Sequence, residues 1–189
     1  GKHNVYNALA VVASLHLAGV DIEKVKRHFT TFTGMGRRFQ KVAEFDGITV
    51  YDDYAHHPTE IKATLSSAVG FKNRKIVAVF QPHRFTRLKN LWDDFLGAFE
   101  GVDRVVVTDV YAASEDPIEG VNSGKFAQDL RCKINVPVDY IAGDIKTVAT
   151  ELFPSLDSGD VIIGLGAGTI TALGKELAAV NEEMVNVAS

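Results

Sequence analysis

Four short apolar runs, separated by segments of helical spacing, constrain the fold of this 189-residue chain more than any other feature. They read "KIVAVFQP" from Lys75, "RVVVTDVY" from Arg104, "VPVDYI" from Val136 and "DVIIGLGAG" from Asp160. Their cores are continuous rather than alternating, as in strands buried on both faces. Helical patterns fall around them, at 58–69, across "LKNLWDDFLGAFE", and at 123–131, 144–153 and 169–180. Continuous strands alternating with helices predict an α/β domain, with a mostly parallel sheet and helices on both faces.

The first third has a different texture. Val5, Leu9, Val12 and Leu15 recur at helical spacing until Gly19, and Asp21 is placed to cap a second helix through about Phe29. "TGMGRRF" reads as a loop, and "FQKVAEFDGITVYDDY" as a β-hairpin turning at Asp46-Gly47. Two helices and one hairpin bury too little to make a core of their own. A boundary is therefore predicted near residue 56: residues 1–56 end a larger domain, and residues 57–189 form a complete α/β domain. The tail "NEEMVNVAS" is predicted to fray.

Composition narrows the functional classes. A hydrophobic share of 46%, a charged share of 23% and a net charge of -4 fit an ordinary globular protein and speak against a nucleic-acid binder. No apolar run reaches the roughly 20 residues of a membrane span. The opening "GKHNVYNALAVV" lacks the pattern of a signal peptide. Cys132, the single cysteine, allows no internal disulfide and no Cys-based zinc site. The expected setting is reducing and cytoplasmic, with no nucleic-acid or membrane partner.

In open α/β sheets, ligands bind beyond the carboxyl ends of the strands. Here those ends read "FQPHRFTR", "TDVYAASED" and "GLGAGT". The first offers His83, Arg84 and Arg87. The two arginines lie three apart where a helix begins, so they are expected to share a face suited to a carboxylate or phosphate. A solvated basic helix start is the other reading. In "GLGAGT" the glycines miss the dinucleotide pattern, because Thr169 holds its last position; a close-approach turn is expected instead. His3, Asn4 and Asn7 crowd a first helical turn. Carboxamides can pair donor and acceptor with an adenine edge, whereas N-capping would account for only one of the two asparagines.

"YDDYAHHPTE", residues 51–60, is the densest titratable stretch. Pro58 suits the first helical position, which makes His57 the N-cap. Strand alternation sends Asp52 and Asp53 to opposite faces, one of them toward a cleft where a carboxylate can hold ribose hydroxyls. Adjacent histidines seldom ligate one ion, so His56 and His57 are read as contacts to a bound ligand and no metal ligand is assigned.

Taken in order, "GKHNVYNALA", "GMGRRF", "DDYAHHPTEI", "FQPHRFTR", "TDVYAASE" and "GAGTI" resemble the Mur ligases over nearly the whole chain. The resemblance implies three domains: a UDP-sugar-binding domain, a central ATPase and a Rossmann-like carboxyl-terminal domain. Residues 1–56 would then end the central ATP-binding domain, and residues 57–189 would be the Rossmann-like amino-acid-binding domain. It implies ATP-dependent amide formation in bacterial peptidoglycan precursor synthesis. A substrate carboxylate attacks the γ-phosphate, and an amine then attacks the acyl phosphate. "QPHRFTR" reads like the branch that joins L-alanine to UDP-N-acetylmuramate. The branch that ligates a recycled tripeptide, and a non-catalytic nucleotide-binding module, are the alternatives.

By the same resemblance, His3, Asn4 and Asn7 lie at the adenine, Asp53 at the ribose and Arg38 near the γ-phosphate. Tyr54, His56, His83, Arg84 and Arg87 receive the amino acid and the reacting carboxylate. Arg38 and His56 are expected to be the catalytic residues. The family's G-x-x-x-x-G-K-[ST] loop and its central-domain Mg2+ ligands do not occur in these residues. ATP and Mg2+ are therefore expected to depend on the missing amino-terminal and central domains as partners, and this chain alone is expected to be inactive. Two positions depart from the family pattern. Ser114 stands where "DVYAAGE" has glycine, and Thr169 stands where "GAGDI" has aspartate, so those loops receive no assigned role.

Overall fold

The computed structural model describes residues 2–31, 36–68, 70, 71 and 73–188, without the side chains of 2–4, 187 and 188. The chain forms two compact units, residues 1–36 and 37–189.

In the first unit, α1 (Lys2–Leu17) and α2 (Ile22–Thr31) follow the predicted helices. Gly19 turns the chain between them at φ 78°, and Asp21 accepts the Glu23 amide at 2.9 Å, as a helix cap should.

In the second unit, the described residues form one six-stranded sheet of β1 (Gln40–Phe45), β2 (Ile48–Asp53), β3 (Ile76–Phe80), β4 (Arg104–Thr108), β5 (Val138–Ile141) and β6 (Val161–Leu165). The spatial order is β1-β2-β6-β3-β4-β5. Only the β1–β2 pair is antiparallel. Its turn is the predicted one: Asp46 and Gly47 both have positive φ, 45° and 80°, as a tight two-residue hairpin requires. The hairpin does not stay with the amino-terminal helices, however. β2 pairs in parallel with β6 from Thr49 to Asp53, and the compact unit begins at Arg37. The reason lies in β2 itself, whose residues are buried on both faces except for a half-buried Tyr51. A strand of that kind needs a second neighbour beyond its hairpin partner.

Strand alternation divides the core. Ile76, Ala78 and Phe80 face α3 (Pro58–Ala68), α4 (Phe85–Asn90), α5 (Trp92–Leu96) and α6 (Ser123–Lys133). Val77 and Val79 face α7 (Ile145–Leu152) and α8 (Leu173–Ala188). Phe80 anchors the first layer, with Phe95, Phe99 and Phe126 at ring separations of 5.3, 5.4 and 6.1 Å. Burying one such side chain contributes about 1.5–3 kcal/mol. Two helices depart from expectation. The predicted long helix is split at Leu91, between Asn90 and Gly97, residues that close helices rather than extend them. The predicted frayed tail is helical through Ala188, and its Glu182, Glu183 and Met184 are good helix formers.

Because β6 lies between β2 and β3, the carboxyl ends of three parallel strands stand side by side: Asp53-Tyr54, Gly166 and Gln81-Pro82-His83. At the opposite end Arg74 ties the same strands together. It donates to the carbonyls of Gly159 (2.6 Å), Gly47 (2.9 Å) and Asp160 (3.0 Å), and to Thr49 Oγ1 (3.0 Å). Arg74→Leu strips these acceptors of their donor. It is expected to lower unfolding free energy by about 2–3 kcal/mol, the cost of stranding partly buried carbonyls. Urea denaturation should show this as a lower midpoint at constant slope, and an unchanged midpoint would mean that the clamp contributes nothing.

Candidate functional site

The loop after β2 is built by its own polar groups. Pro58 opens α3, and His57 takes the N-cap position. The Thr59 amide donates to His57 Nδ1 at 3.3 Å, while Glu60 Oε2 accepts the amides of His56 (3.0 Å) and His57 (3.2 Å). This is a capping box with histidine in place of serine. Partial burial pushes the Glu60 carboxyl up, but the His56 amide and charge, the His57 amide and the Arg38 charge together bring it below the ordinary carboxylate range. His56 Nδ1 lies 2.9 Å from the Tyr54 carbonyl, which can only accept. Nδ1 therefore carries a hydrogen, and whenever the ring is neutral Nε2 is its acceptor.

A row of rings follows. Tyr54 meets His56 edge-on at 5.1 Å, His56 lies 5.8 Å from His83, and His83 stacks on Tyr111 at 5.5 Å and 16°. Arg87 Nη1 donates to His83 Nδ1 (2.9 Å) and to the His83 carbonyl (3.1 Å). A guanidinium cannot accept, so His83 is neutral with its hydrogen on Nε2. Its basicity is lowered by burial first, then by the charges of Arg87, His56 and Arg84, with Glu115 opposing.

Arg84 does not share a helix face with Arg87. It precedes α4 in a left-handed conformation, φ 72°, and its guanidinium lies 3.6 Å from Glu115 Oε1. The reason is the strand end itself: the Arg84 amide donates to the Tyr111 carbonyl at 2.9 Å and the Tyr111 amide to Pro82 at 2.8 Å, which delays the helix by one residue. Both arginines still act on His83, so the cationic cluster survives with a different geometry.

Asp52 and Asp53 are both buried, at 3% and 4% exposure. Asp53, expected at a ribose, accepts the Ala55 amide on Oδ1 (2.8 Å) and the Phe39 amide on Oδ2 (2.7 Å). It fastens the loop at Phe39 to the loop at Ala55. Arg38 is exposed and acts on Glu60. Asn7 is exposed on α1, and the side chains of His3 and Asn4 lie outside the described residues.

"GLGAGT" is the close-approach turn its glycines predicted. A Cβ on Gly168 would fall 2.5 Å from Gln81 Oε1 and 2.6 Å from Tyr111 Cγ; one on Gly166, at φ 150°, would fall 2.8 Å from the Gln81 carbonyl. Thr169 Oγ1 accepts from Gln81 Nε2 at 2.9 Å, and the Ile170 amide donates to Gln81 Oε1 at 3.0 Å. Ser114 adopts φ 68°, the conformation that the glycine of the family pattern favours. Asp109, at the end of β4, accepts the Tyr140 hydroxyl and the Gly143 amide (2.8 Å), tying β4 to β5; the bond, with some burial, pushes Tyr140 up to about 12.

Sequence reasoning missed Glu60, Glu115, Tyr111 and Arg37. Glu60 was readable, three residues beyond the N-cap as a capping box demands. Glu115 and Tyr111 carried no local signal, because only the pairing of neighbouring strand ends brings them to "PHRFTR". Among the described residues no three His, Cys, Asp or Glu side chains converge as a metal site, so no Mg2+ ligand is assigned to them. The arrangement offers two guanidinium groups, a neutral imidazole donor and a second imidazole with a free acceptor, a set suited to a small molecule bearing both a carboxylate and an amine.

A UDP-N-acetylmuramate–L-alanine ligase of Geotalea daltonii is 44% identical over 94% of this chain and 38% of its own length. Its namesake in Brachyspira hyodysenteriae is 48% identical over 94% of this chain and 38% of its own length. The chain thus spans about two fifths of the curated relatives it matches. A solved UDP-N-acetylmuramate-alanine ligase of Thermotoga maritima superposes with a TM-score of 0.76 at 32% identity, covering 97% of this chain and 39% of that one. A murein peptide ligase of Psychrobacter arcticus shares the fold, with a TM-score of 0.72 at 21% identity over 95% of this chain and 37% of that one. Residues 37–168, most of the chain, match the family described as Mur ligase, glutamate ligase domain, and the chain therefore belongs to the Mur ligase family.

Proposed function

We propose that this chain is the carboxyl-terminal part of a bacterial, cytoplasmic, ATP-dependent ligase that joins L-alanine to UDP-N-acetylmuramate in peptidoglycan precursor synthesis. The observation that carries the amino-acid half is the Arg87–His83 pair at the end of β3, with Arg84 beside it. The relatives at 44% and 48% identity support the choice of substrate. Residues before Arg37 would complete the ATP-binding domain, with His3, Asn4 and Asn7 toward the adenine of the ATP substrate. Asp53 would serve that side indirectly, by shaping the loop from Tyr54 to His56.

The chemistry needs positioning and charge neutralisation more than covalent help. Arg84, Arg87 and the His83 Nε2–H receive the alanine carboxylate. His56 Nε2 accepts a proton from the alanine amine, which must be neutral to attack. Arg38 stabilises charge as the γ-phosphoryl group moves to the sugar-acid carboxylate.

A small amino acid offers little apolar area. One CH2 contributes about 0.8 kcal/mol, whereas a charge-assisted hydrogen bond contributes roughly 1.5–3. In the intact enzyme, Arg87→Lys should raise the KM for L-alanine about tenfold and leave the KM for ATP unchanged, since an ammonium cannot reproduce the fork. Arg87→Gln should also raise the His83 pKa toward its ordinary value, read by NMR titration, because a nearby cation no longer opposes the imidazolium. Normal alanine binding with weakened ATP binding would reassign the arginines to phosphate. Assaying L-alanine against the tripeptide in the same enzyme separates the two branches of the family.

Arg38→Ala is expected to lower kcat on the order of a hundredfold, about 3 kcal/mol, with a smaller effect on the KM for ATP. An unchanged kcat with only weaker ATP binding would remove Arg38 from the catalytic role.

A further inference from the structure

Arg37 makes more contacts at the carboxyl edge of the sheet than the mechanism above uses. Its Nε donates to Asp52 Oδ2 at 3.0 Å and its Nη2 to the Gly166 carbonyl at 2.7 Å. Its guanidinium carbon lies 4.9 Å from the centre of the Tyr54 ring, and its own carbonyl accepts the Tyr54 amide at 2.8 Å. Tyr54 is therefore held twice by one residue, through the backbone and through the ring face. Arg37 holds this position in a left-handed conformation, φ 58°, which is strained for a non-glycine residue. Asp52 is fixed in turn by Thr171 Oγ1 at 2.8 Å.

The arrangement is a poor device for stability. Asp52 Oδ1 is buried without a partner. Such an orphan acceptor is costly, and buried ion pairs can often be replaced by apolar side chains without loss of stability. What the pair does provide is a fixed place for the Tyr54 ring, which meets His56 edge-on at 5.1 Å, while His56 faces His83 at 5.8 Å. Nε and Nη2 are committed to protein acceptors, which fixes the guanidinium beside the Tyr54 ring.

We propose that Arg37 is a positioning residue for the amino-acid site, holding the Tyr54 ring and, through it, His56 in the geometry that receives the incoming amino acid. The proposal rests on the assignment of that site to the amino acid. A cation over an aromatic face attracts it electrostatically, most strongly where water is partly excluded. Arg37, with 26% of its side chain exposed, meets that condition.

The test is a double-mutant cycle in the intact enzyme with Arg37→Gln, Tyr54→Leu and both together, reading kcat, both KM values and the thermal midpoint. Arg37→Gln is expected to raise the KM for L-alanine about five- to tenfold, to leave the KM for ATP unchanged, and to add nothing in the Tyr54→Leu background. Arg37→Lys, which keeps a cation over the ring, should recover part of the loss. Equal effects in both backgrounds, or a fall in active fraction with unchanged KM, would overturn the proposal. If Arg37→Gln does not fold, the paired Arg37→Met/Asp52→Leu variant takes its place. It should keep its midpoint and still raise the alanine KM, and a wild-type KM there would also overturn the proposal. Should the wild-type enzyme release no phosphate in response to L-alanine, the functional reading fails by itself. The hold is then read from the His56 Cε1 proton resonance, which Arg37→Gln should shift in the wild-type but not in the Tyr54→Leu background; no shift in either sinks it.

Discussion

The parallel pairing of β6 between β2 and β3 is the constraint on which the rest depends. It draws the chain from Arg37 into the sheet, sets the loops after β2, β3 and β6 side by side, and lets residues more than a hundred positions apart bond directly. Arg37 with Gly166, and Thr171 with Asp52, exist only because of that insertion. The pairing is held by apolar side chains on both faces, Val77 and Ile162 on one and Ala78 and Ile163 on the other. A slip of one residue would exchange these sets and move every carboxyl-end residue to the wrong face.

On that scaffold the site is set by electrostatics more than by shape. His83 stands beside the cations Arg87 and Arg84, and its Nδ1 takes a hydrogen bond from Arg87, so it is neutral and presents a donor. His56 has the opposite tautomer, because its Nδ1 meets a carbonyl. Two chemically identical rings 5.8 Å apart thus serve as donor and acceptor. Glu60 and Glu115 balance the cations from the outer side, each fixed by amide or hydroxyl donors that also shape a helix start.

Much of the sheet was legible in the sequence. Continuous apolar runs such as "KIVAVF" leave no exposed face, and Asp46-Gly47 leaves one turn geometry. The site was legible as a set of residues but not as an arrangement. His56, His83 and Tyr54 come together because each lies just beyond a strand end, and Arg87 reaches His83 from α4. Arg84 and Arg87 were expected on one face because helical spacing was counted from Arg84; the bond from its amide to Tyr111, a partner from the next strand, removes Arg84 from the helix. Asp53 was expected at a ribose, and its bonds to the Phe39 and Ala55 amides were not foreseen. Local spacing cannot report such non-local partners. The place of the hairpin in the sheet was hidden for the same reason, since nothing in β1 and β2 announces that β6 will arrive from residue 161.

Left-handed non-glycine residues gather around the site. Arg37, Phe39, Arg84, Ala113 and Ser114 all have φ between 49° and 72°, and the loops that carry them flank the strand ends described above. Each such residue raises the local free energy by roughly 1 kcal/mol. The buried strands carry no such residue. Amide hydrogens in these loops are therefore expected to exchange through small local openings, and those of the buried strands β3, β4 and β6 only on larger unfolding. The molecule carries a gradient of backbone strain, relaxed where it stores its hydrophobic surface and strained in the loops that flank the strand ends.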